Sequence, residues 1–211
     1  MVAHMTIDAL RDAGFDIAHP FDAQAASCEP GWAILAGAQQ RGILIGNTRA
    51  LWPVFTAAMN DPALAALRDP LDHYTETAIA TAFPCARVYY SHRRYDAGYL
   101  PFQKLAVAIG LGALSEGGLV IHPEYGPWLA LRAVLVIDGE PVARTPIAKP
   151  CTCGARCAET LELALAGGDW RAWLAVRDAC SLRRFRYSET QARYHYTKAW
   201  VPGDLPVEPD P

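Results

Sequence analysis

The sequence has no apolar run of the roughly 18 residues that a membrane-spanning helix needs, and it carries little net charge. Its 211 residues include 19 Lys and Arg against 22 Asp and Glu, a net charge of −3. Nucleic-acid binding generally needs a basic face, so this balance argues against such a partner. The segment 1–13 lacks the charged-then-apolar order of a signal peptide. We therefore expect a soluble, cytoplasmic protein with no nucleic-acid or membrane partner.

The known nucleotide-binding signatures are also missing. The glycine-rich segment 110–118 does not contain G-x-G-x-x-G, and it follows a predicted helix rather than a strand. Gly117 and Gly118 leave the backbone uncovered just before a short predicted strand, which would let a flat ligand approach closely. The alternative, which the residues alone favour, is an ordinary turn that ends the helix.

Four cysteines in the C-terminal half form a candidate metal site. Their spacing differs from the paired C-x2-4-C of structural zinc sites and from the C-x2-C-x2-C of ferredoxin-type clusters. Arg156 follows closely in the sequence and would favour a reactive thiolate at Cys153. Unligated, partly buried thiols are an equal alternative. The candidates are Cys151, Cys153, Cys157 and Cys180.

The apolar pattern predicts helices and strands that do not alternate strictly, which favours a mixed α+β sandwich over a parallel doubly wound sheet. Helices are predicted over 6–13, after Asn47-Thr48, over 71–83, from Pro101, over 158–166 and 169–179, and after a capping box at Ser188. Strands are predicted over 32–36, 42–46, 87–91, 119–121 and 128–137. The first two of these are expected to pair through a hairpin-like turn, and the segment around Pro20 is expected to be a loop.

A histidine and a group of arginines are candidates for binding. His122 lies between a predicted strand and a proline turn, where it is either a structural, hydrogen-bonded residue or a metal ligand. Arginines are frequent in the C-terminal third and would suit a small anionic ligand, since guanidinium pairs well with carboxylates. Solvated helix faces and internal ion pairs are the commoner explanation. The arginines are Arg156, Arg171, Arg177, Arg183, Arg184 and Arg186.

The stretch 118–132 reads Gly-Leu-Val-Ile-His-Pro-Glu-Tyr-Gly-Pro-Trp-Leu-Ala-Leu-Arg. This order of strand, Ile-His-Pro turn, aromatic–Gly pair, Trp and Arg resembles the intracellular cobalamin-processing family of the CblC (MMACHC) type. The resemblance covers about residues 30–197 and is more distant to the cobalamin-dependent epoxyqueuosine reductases and reductive dehalogenases, whose cluster-binding cysteine motifs are missing here. Further matching landmarks are Asp69-Pro70-Leu71-Asp72, Lys149-Pro150, Trp170-Arg-Ala-Trp173, Arg177-Asp178-Ala179 and Arg186-Tyr187-Ser188-Glu189-x-Gln191.

The resemblance implies a fold and a site. The fold would be α+β and nitroreductase-like (flavin reductase-like), with an antiparallel sheet flanked by helices. A single cobalamin-binding domain would span 1–200, and a flexible tail would follow at 201–211. Arg156 and Arg177 would position an anionic thiol substrate, whereas the family's distal arginine is replaced at best by Lys198. The implied cobalamin-binding residues are Ser115, Gly117, Gly118, Leu119, Val120, Ile121, His122, Tyr125, Gly126 and Trp128.

The resemblance also implies an activity. Family members bind cobalamin with its lower base detached and remove the upper axial ligand, either by reductive decyanation with a reduced flavin (FMN or FAD) or by dealkylation to glutathione or another thiol. The partners would be cobalamin, a small thiol and a flavin reductase or a cobalamin-accepting protein. Two alternatives stay open: a non-enzymatic cobalamin chaperone, and a metal or iron–sulfur redox protein on the same scaffold.

Overall fold

The computed structural model describes residues 2–37, 40–140, 142 and 156–200. Its strands are β1 (Ile17–Asp22), β2 (Gln40–Asn47), β3 (Arg87–Tyr90), β4 (Arg94–Tyr95), β5 (Gly98–Tyr99), β6 (Ala113–Leu114), β7 (Val120–Ile121) and β8 (Ala130–Asp138). Its helices are α1 (Val2–Asp12), α2 (Ala23–Ala26), α3 (Leu51–Ala58), α4 (Pro62–Ala65), α5 (Pro70–Ala82), α6 (Phe102–Ala108), α7 (Arg156–Leu165), α8 (Trp170–Asp178) and α9 (Glu189–Thr197), with a 3₁₀ turn at Ala33–Leu35.

The main sheet has four antiparallel strands in the order β1-β2-β8-β3. Along the central strand β8, buried side chains alternate between two apolar cores, one on each face of the sheet. Val134 and Val136 pack with residues of α2 and α6, whereas Ala133 and Leu135 pack with residues of α1, α3 and α5. Helices therefore flank an antiparallel sheet on both sides, which confirms the predicted α+β class.

One predicted strand and its hairpin are wrong. The segment 32–36 forms the 3₁₀ turn, in which Trp32 and Leu35 are buried while Ile34 is exposed. That spacing of three is helical rather than alternating, and it turns both large side chains into the core. On its outer side β2 pairs instead with β1, which contains Pro20 and lies where the sequence predicts a loop. Proline lacks a backbone donor, and it is tolerated here because β1 lies at the edge of the sheet.

The other predicted elements agree with the structure to within a few residues. Asp169 caps α8, and Ser188 caps α9 by accepting a hydrogen bond from the Gln191 amide at 3.2 Å. The tail 201–211 lies outside the described residues. None of the described helices combines the length and the apolar character that crossing a membrane requires.

The register of the main sheet shifts at one point, beside the buried residue Asn47. The pairing of β2 with β8 slips between Ile45 and Gly46. A Cβ atom at Gly46 would lie only 2.7 Å from the Ala130 carbonyl oxygen, so this approach of two strands requires glycine. The next residue, Asn47, is buried, and its Nδ2 donates to the Thr48 carbonyl at 2.8 Å. The Asn47 amide is thereby fixed at the end of β2.

The cap of α8 gives a direct test of how this helix is stabilised. Asp169 Oδ1 accepts hydrogen bonds from the Arg171 and Ala172 amides at 2.9 and 3.4 Å. We expect Asp169→Ala to lower the free energy of unfolding by about 1 kcal/mol, and Asp169→Asn to lower it by only a few tenths, because asparagine keeps the acceptor. Urea unfolding measures both. An equal loss in the two variants would show that the charge, not the cap, stabilises α8.

Candidate functional site

A cavity of about 260 Å³ lies beside the first residues of β8. One wall is apolar and is formed by Phe102 of α6, Leu119, Val120, Pro127 and Leu129. The polar lining consists of Gln103, Arg132, Arg177 and His195. A second cavity, of about 340 Å³, also contacts Phe102 and Gln103 and is further lined by Ser91 and Lys104. The two cavities therefore adjoin along the first turn of α6.

Arg132 is a charged residue within the largely buried strand β8. It is 9% exposed, and burial lowers the pKa of its guanidinium from the ordinary value. Its Nε donates to Asn47 Oδ1 at 2.7 Å. The described residues offer it no carboxylate in ion-pair contact, and Asp72 stabilises its charge only from farther away. Arg132 therefore has a neutral partner on one edge and its charge directed at the cavity.

Arg177, on α8, is the second buried arginine of the cavity, at 7% exposed. Its Nη1 donates to the carbonyls of Pro127 and Leu129, and its Nε donates to the Tyr196 hydroxyl at 2.9 Å. Its Nη2 lies 3.3 Å from His195 Nε2. Within the described part of the chain these partners are all neutral, and no carboxylate forms an ion pair with Arg177.

Two further polar groups beside the arginines lack partners among the described residues. These are the Tyr187 hydroxyl and the Trp128 indole N–H, both fully or almost fully buried. The Tyr187 ring lies 5.7 Å from the Arg177 guanidinium and 5.6 Å from the Trp128 ring. Burying a polar group without a hydrogen bond costs free energy, and so does burying an uncompensated charge. Trp128 and Tyr187 do not line the cavity, whereas the two positively charged arginines do, and their charge suits an anionic ligand.

Gly117 and Gly118, predicted to let a flat ligand approach the backbone, lie in the turn between β6 and β7. Ser115 and Leu119 exchange backbone and side-chain hydrogen bonds, and Gly118 has a φ of +70° that closes the turn. A Cβ atom at Gly117 would lie 3.2 Å from the Val176 side chain and 3.3 Å from Cys157. Gly117 therefore lets the turn pack against α7 and α8. Neither glycine lines the cavity, whereas Leu119 and Val120 do.

His122 is hydrogen-bonded within the turn that follows β7. Its Nδ1 accepts hydrogen bonds from the Glu124 and Tyr125 amides at 3.1 and 3.3 Å, so the ring proton is on Nε2. Burial lowers the pKa of His122, and its ring stacks on Tyr125 at a centroid distance of 4.3 Å. Gly126 has a φ of +60°, and a Cβ atom there would lie 2.7 Å from Leu182. His122, Tyr125 and Gly126 thus shape the turn and are not among the residues that line the cavity.

Two more of the predicted binding residues are buried in apolar cores. Trp128 packs with Leu174 and Tyr187, and Ile121 pairs with Ala113 between β6 and β7. Neither lines the cavity. Ser115 and Gly117 are buried and Gly118 is exposed, and none of the three lines the cavity. Of the predicted cobalamin contacts, the structure therefore brings only Leu119 and Val120 to the cavity wall.

The two predicted arginines are separated. Arg177 lines the cavity, but Arg156 is exposed at the start of α7 and does not. Arg132 occupies the place beside Arg177 instead. Arg132 belongs to the stretch 118–132 that carries the resemblance but has no predicted role, and His195 is not among the predicted site residues. A signal for Arg132 was present, because a single charge within the apolar run 128–137 must be either paired or functional.

The described residues do not test the predicted cysteine site, because two of its four members lie outside them. Cys157 and Cys180 are both buried, while Cys151 and Cys153 lie outside the described residues. Among the described side chains, no group of three or more His, Cys, Asp or Glu could hold a metal ion.

Comparison with known proteins gives several matches. The chain is 36% identical over 87 residues to a cyanocobalamin reductase / alkylcobalamin dealkylase of Bos taurus, which covers 41% of this chain and 30% of that protein. It is 39% identical over 82 residues to the protein of that name in Homo sapiens, covering 38% and 28%. Each match thus spans less than a third of the curated relative.

A solved structure matches over nearly the whole chain. It is the crystal structure of a C. elegans B12-trafficking protein CblC, with a TM-score of 0.63 and 17% identity, covering 92% of this chain and 90% of that one. At this identity the match shows the fold alone. The model of the methylmalonic aciduria and homocystinuria type C (MMACHC) family matches residues 80–200, more than half of the chain. The protein belongs to this family.

Proposed function

We propose that this protein binds cobalamin with its lower base detached and removes the upper axial ligand. The observation that carries the proposal is the cavity, in which two buried arginines face an apolar wall without a carboxylate partner in the described chain. Family membership and the names of the curated relatives support cobalamin as the substrate. The arrangement suits a reaction between a large apolar-faced molecule and a small anion.

The size of the cavity indicates which of the two substrates can enter it. A space of about 260 Å³ lies just below the usual range of ligand pockets, roughly 300 to 1,000 Å³, and cannot enclose a corrin macrocycle. We infer that the corrin lies across the mouth, against Phe102, Leu119 and Val120. The adjoining cavity at Ser91 and Lys104 extends this surface. The turn at 122–128 connects β7 to β8, and the first residues of β8 line the cavity.

The arginines bind the smaller substrate, a thiol that carries carboxylates, such as glutathione. Arg132 and Arg177 each keep a full positive charge in a largely buried setting, where charge-assisted hydrogen bonds to a carboxylate are strong. The same charge favours the thiolate over the thiol, which lowers the pKa of the bound sulfur. Holding the thiolate close to cobalt converts an encounter of two molecules into a reaction within one complex.

The proposed alkyl transfer balances in atoms and electrons. The thiolate sulfur forms a bond to the cobalt-bound carbon, the Co–C bond breaks, and its electron pair stays on cobalt, which goes from Co(III) to Co(I). The thiol proton leaves to solvent. In decyanation, a reduced flavin would supply two electrons that take cobalt from Co(III) to Co(I). The flavin would be oxidised and release its proton to solvent, and cyanide would leave with the electron pair of the Co–C bond. The protein supplies binding and orientation, and the cobalt supplies the reactivity.

Further parts of the proposal rest on the resemblance to the CblC family. They are a nitroreductase-like fold spanning residues 1–200 as one cobalamin-binding domain, reduced FMN or FAD as electron donor, a flavin reductase or a cobalamin-accepting protein as partner, and a cytoplasmic location. The apolar wall beside a charged pocket is compatible with a planar electron donor stacking on the bound corrin.

Mixing the protein with methylcobalamin tests cobalamin binding. We expect the visible spectrum to shift to the base-off form on binding, because the proposal has the lower base detached from cobalt. Adding glutathione should then convert the methylcobalamin at a saturable rate. A base-off shift without conversion would identify a chaperone, and the absence of any shift would contradict cobalamin binding.

Three variants at two arginines test which residue binds the thiol. We expect Arg177→Gln to raise the KM for glutathione at least about tenfold, since a lost charge-assisted hydrogen bond costs roughly 1.5–3 kcal/mol. Arg156→Gln should change it less than about twofold, because Arg156 is exposed and does not line the cavity. Arg177→Lys, which keeps the charge, should fall between them. The base-off shift of each variant reports whether the fold is intact, and a larger effect at Arg156 would contradict the assignment.

A further inference from the structure

His195 lies beside Arg177 and lines the same cavity. An arginine side chain has donors only, so the 3.3 Å contact between Arg177 Nη2 and His195 Nε2 requires Nε2 to accept and the ring proton to be on Nδ1. The next residue of α9, Tyr196, accepts from Arg177 Nε and donates to the Trp173 carbonyl at 3.0 Å. Two consecutive residues of one helix thus hold the guanidinium at opposite ends.

The surroundings of His195 keep its ring neutral. Arg177 on α8, Arg132 on β8 and Lys198 at the end of α9 all face it with positive charge, and the other close groups are the Tyr187 and Tyr196 rings. Burial and these three cations hold the pKa of His195 well below its usual range. A carboxylate is the usual partner of a buried arginine, because it compensates the charge. Here the compensating group is absent from the described contacts, and a neutral acceptor takes its place.

We propose that His195 is a positioning residue for the anionic thiol substrate: it orients Arg177 through a neutral hydrogen bond and leaves the guanidinium charge available to the ligand. The inference deepens the proposed function and rests on it. A carboxylate at position 195 would orient Arg177 equally well but would neutralise it. An aromatic residue would fill the space but would leave Nη2 without its acceptor.

Three variants separate these effects. His195→Phe keeps the ring volume and removes the acceptor. His195→Gln keeps a neutral acceptor near the position of Nε2. His195→Glu adds an anionic one. The exposed His73 of α5 provides a matched control as His73→Phe. For each protein we would measure the KM for glutathione and kcat in methylcobalamin dealkylation, the base-off shift and the Tm.

We expect KM to rise about tenfold in His195→Phe and to stay within about threefold in His195→Gln, because one hydrogen bond to a charged group is lost in the first and kept in the second. His195→Glu should be the most impaired, with a KM raised about a hundredfold or more although its Tm is close to that of the wild type. The base-off shift and the control variant should be unchanged.

The outcomes are distinguishable. If His195→Glu binds glutathione as well as His195→Gln does, the contact is structural and the inference is overturned. If His195→Phe has an unchanged KM, the acceptor is not needed and the inference is likewise overturned. If the wild-type protein itself shows no saturable dependence on glutathione, the proposed function fails, whatever the variants do.

Discussion

The positive charge of Arg132 and Arg177 is buried beside a small cavity with neutral hydrogen-bond partners, and much of the surrounding structure is organised around holding it there. Burying an ion costs several kcal/mol unless a counter-ion repays it. In the described chain the partners are an asparagine amide, a tyrosine hydroxyl, a histidine nitrogen and backbone carbonyls. Such partners orient a guanidinium without removing its charge. The cost is recovered when an anion binds, which is how a site gains affinity for one.

The fold supplies rigid supports for each arginine. Arg132 is fixed by strand β8, where it lies at the register shift beside Gly46, and by its hydrogen bond to the Asn47 side chain. Arg177 is fixed by α8 and α9, each of which begins at a side-chain cap. Both faces of the sheet are covered by apolar cores, so little of this framework can relax. Side chains mounted on a packed strand and two capped helices keep the geometry that binding a small ligand needs.

The sequence predicts the scaffold better than the site. Strand β8 and helices α5 and α8 follow from apolar periodicity and capping residues, and these signals are local. The edge strand β1 is missed because Pro20 reads as a loop, although an edge position tolerates proline. The 3₁₀ turn at Ala33–Leu35 is missed because a short apolar run does not reveal its period. The glycines and His122 form a recognisable sequence motif, but in the structure they form the turns on either side of β7 and do not line the cavity. Arg132, Arg177 and His195 come together only through tertiary packing of β8, α8 and α9, which no local pattern encodes.

The proposed reaction depends most on binding of the thiol substrate's carboxylates by the buried arginines. The most direct measurement compares glutathione with its diethyl ester as methyl acceptor from methylcobalamin in the wild-type protein. Both carry the same thiol, but the ester lacks both carboxylates. We expect the KM for the ester to be at least about tenfold higher than that for glutathione, since charge-assisted hydrogen bonds to each arginine are lost. Equal KM values for the two thiols would contradict it.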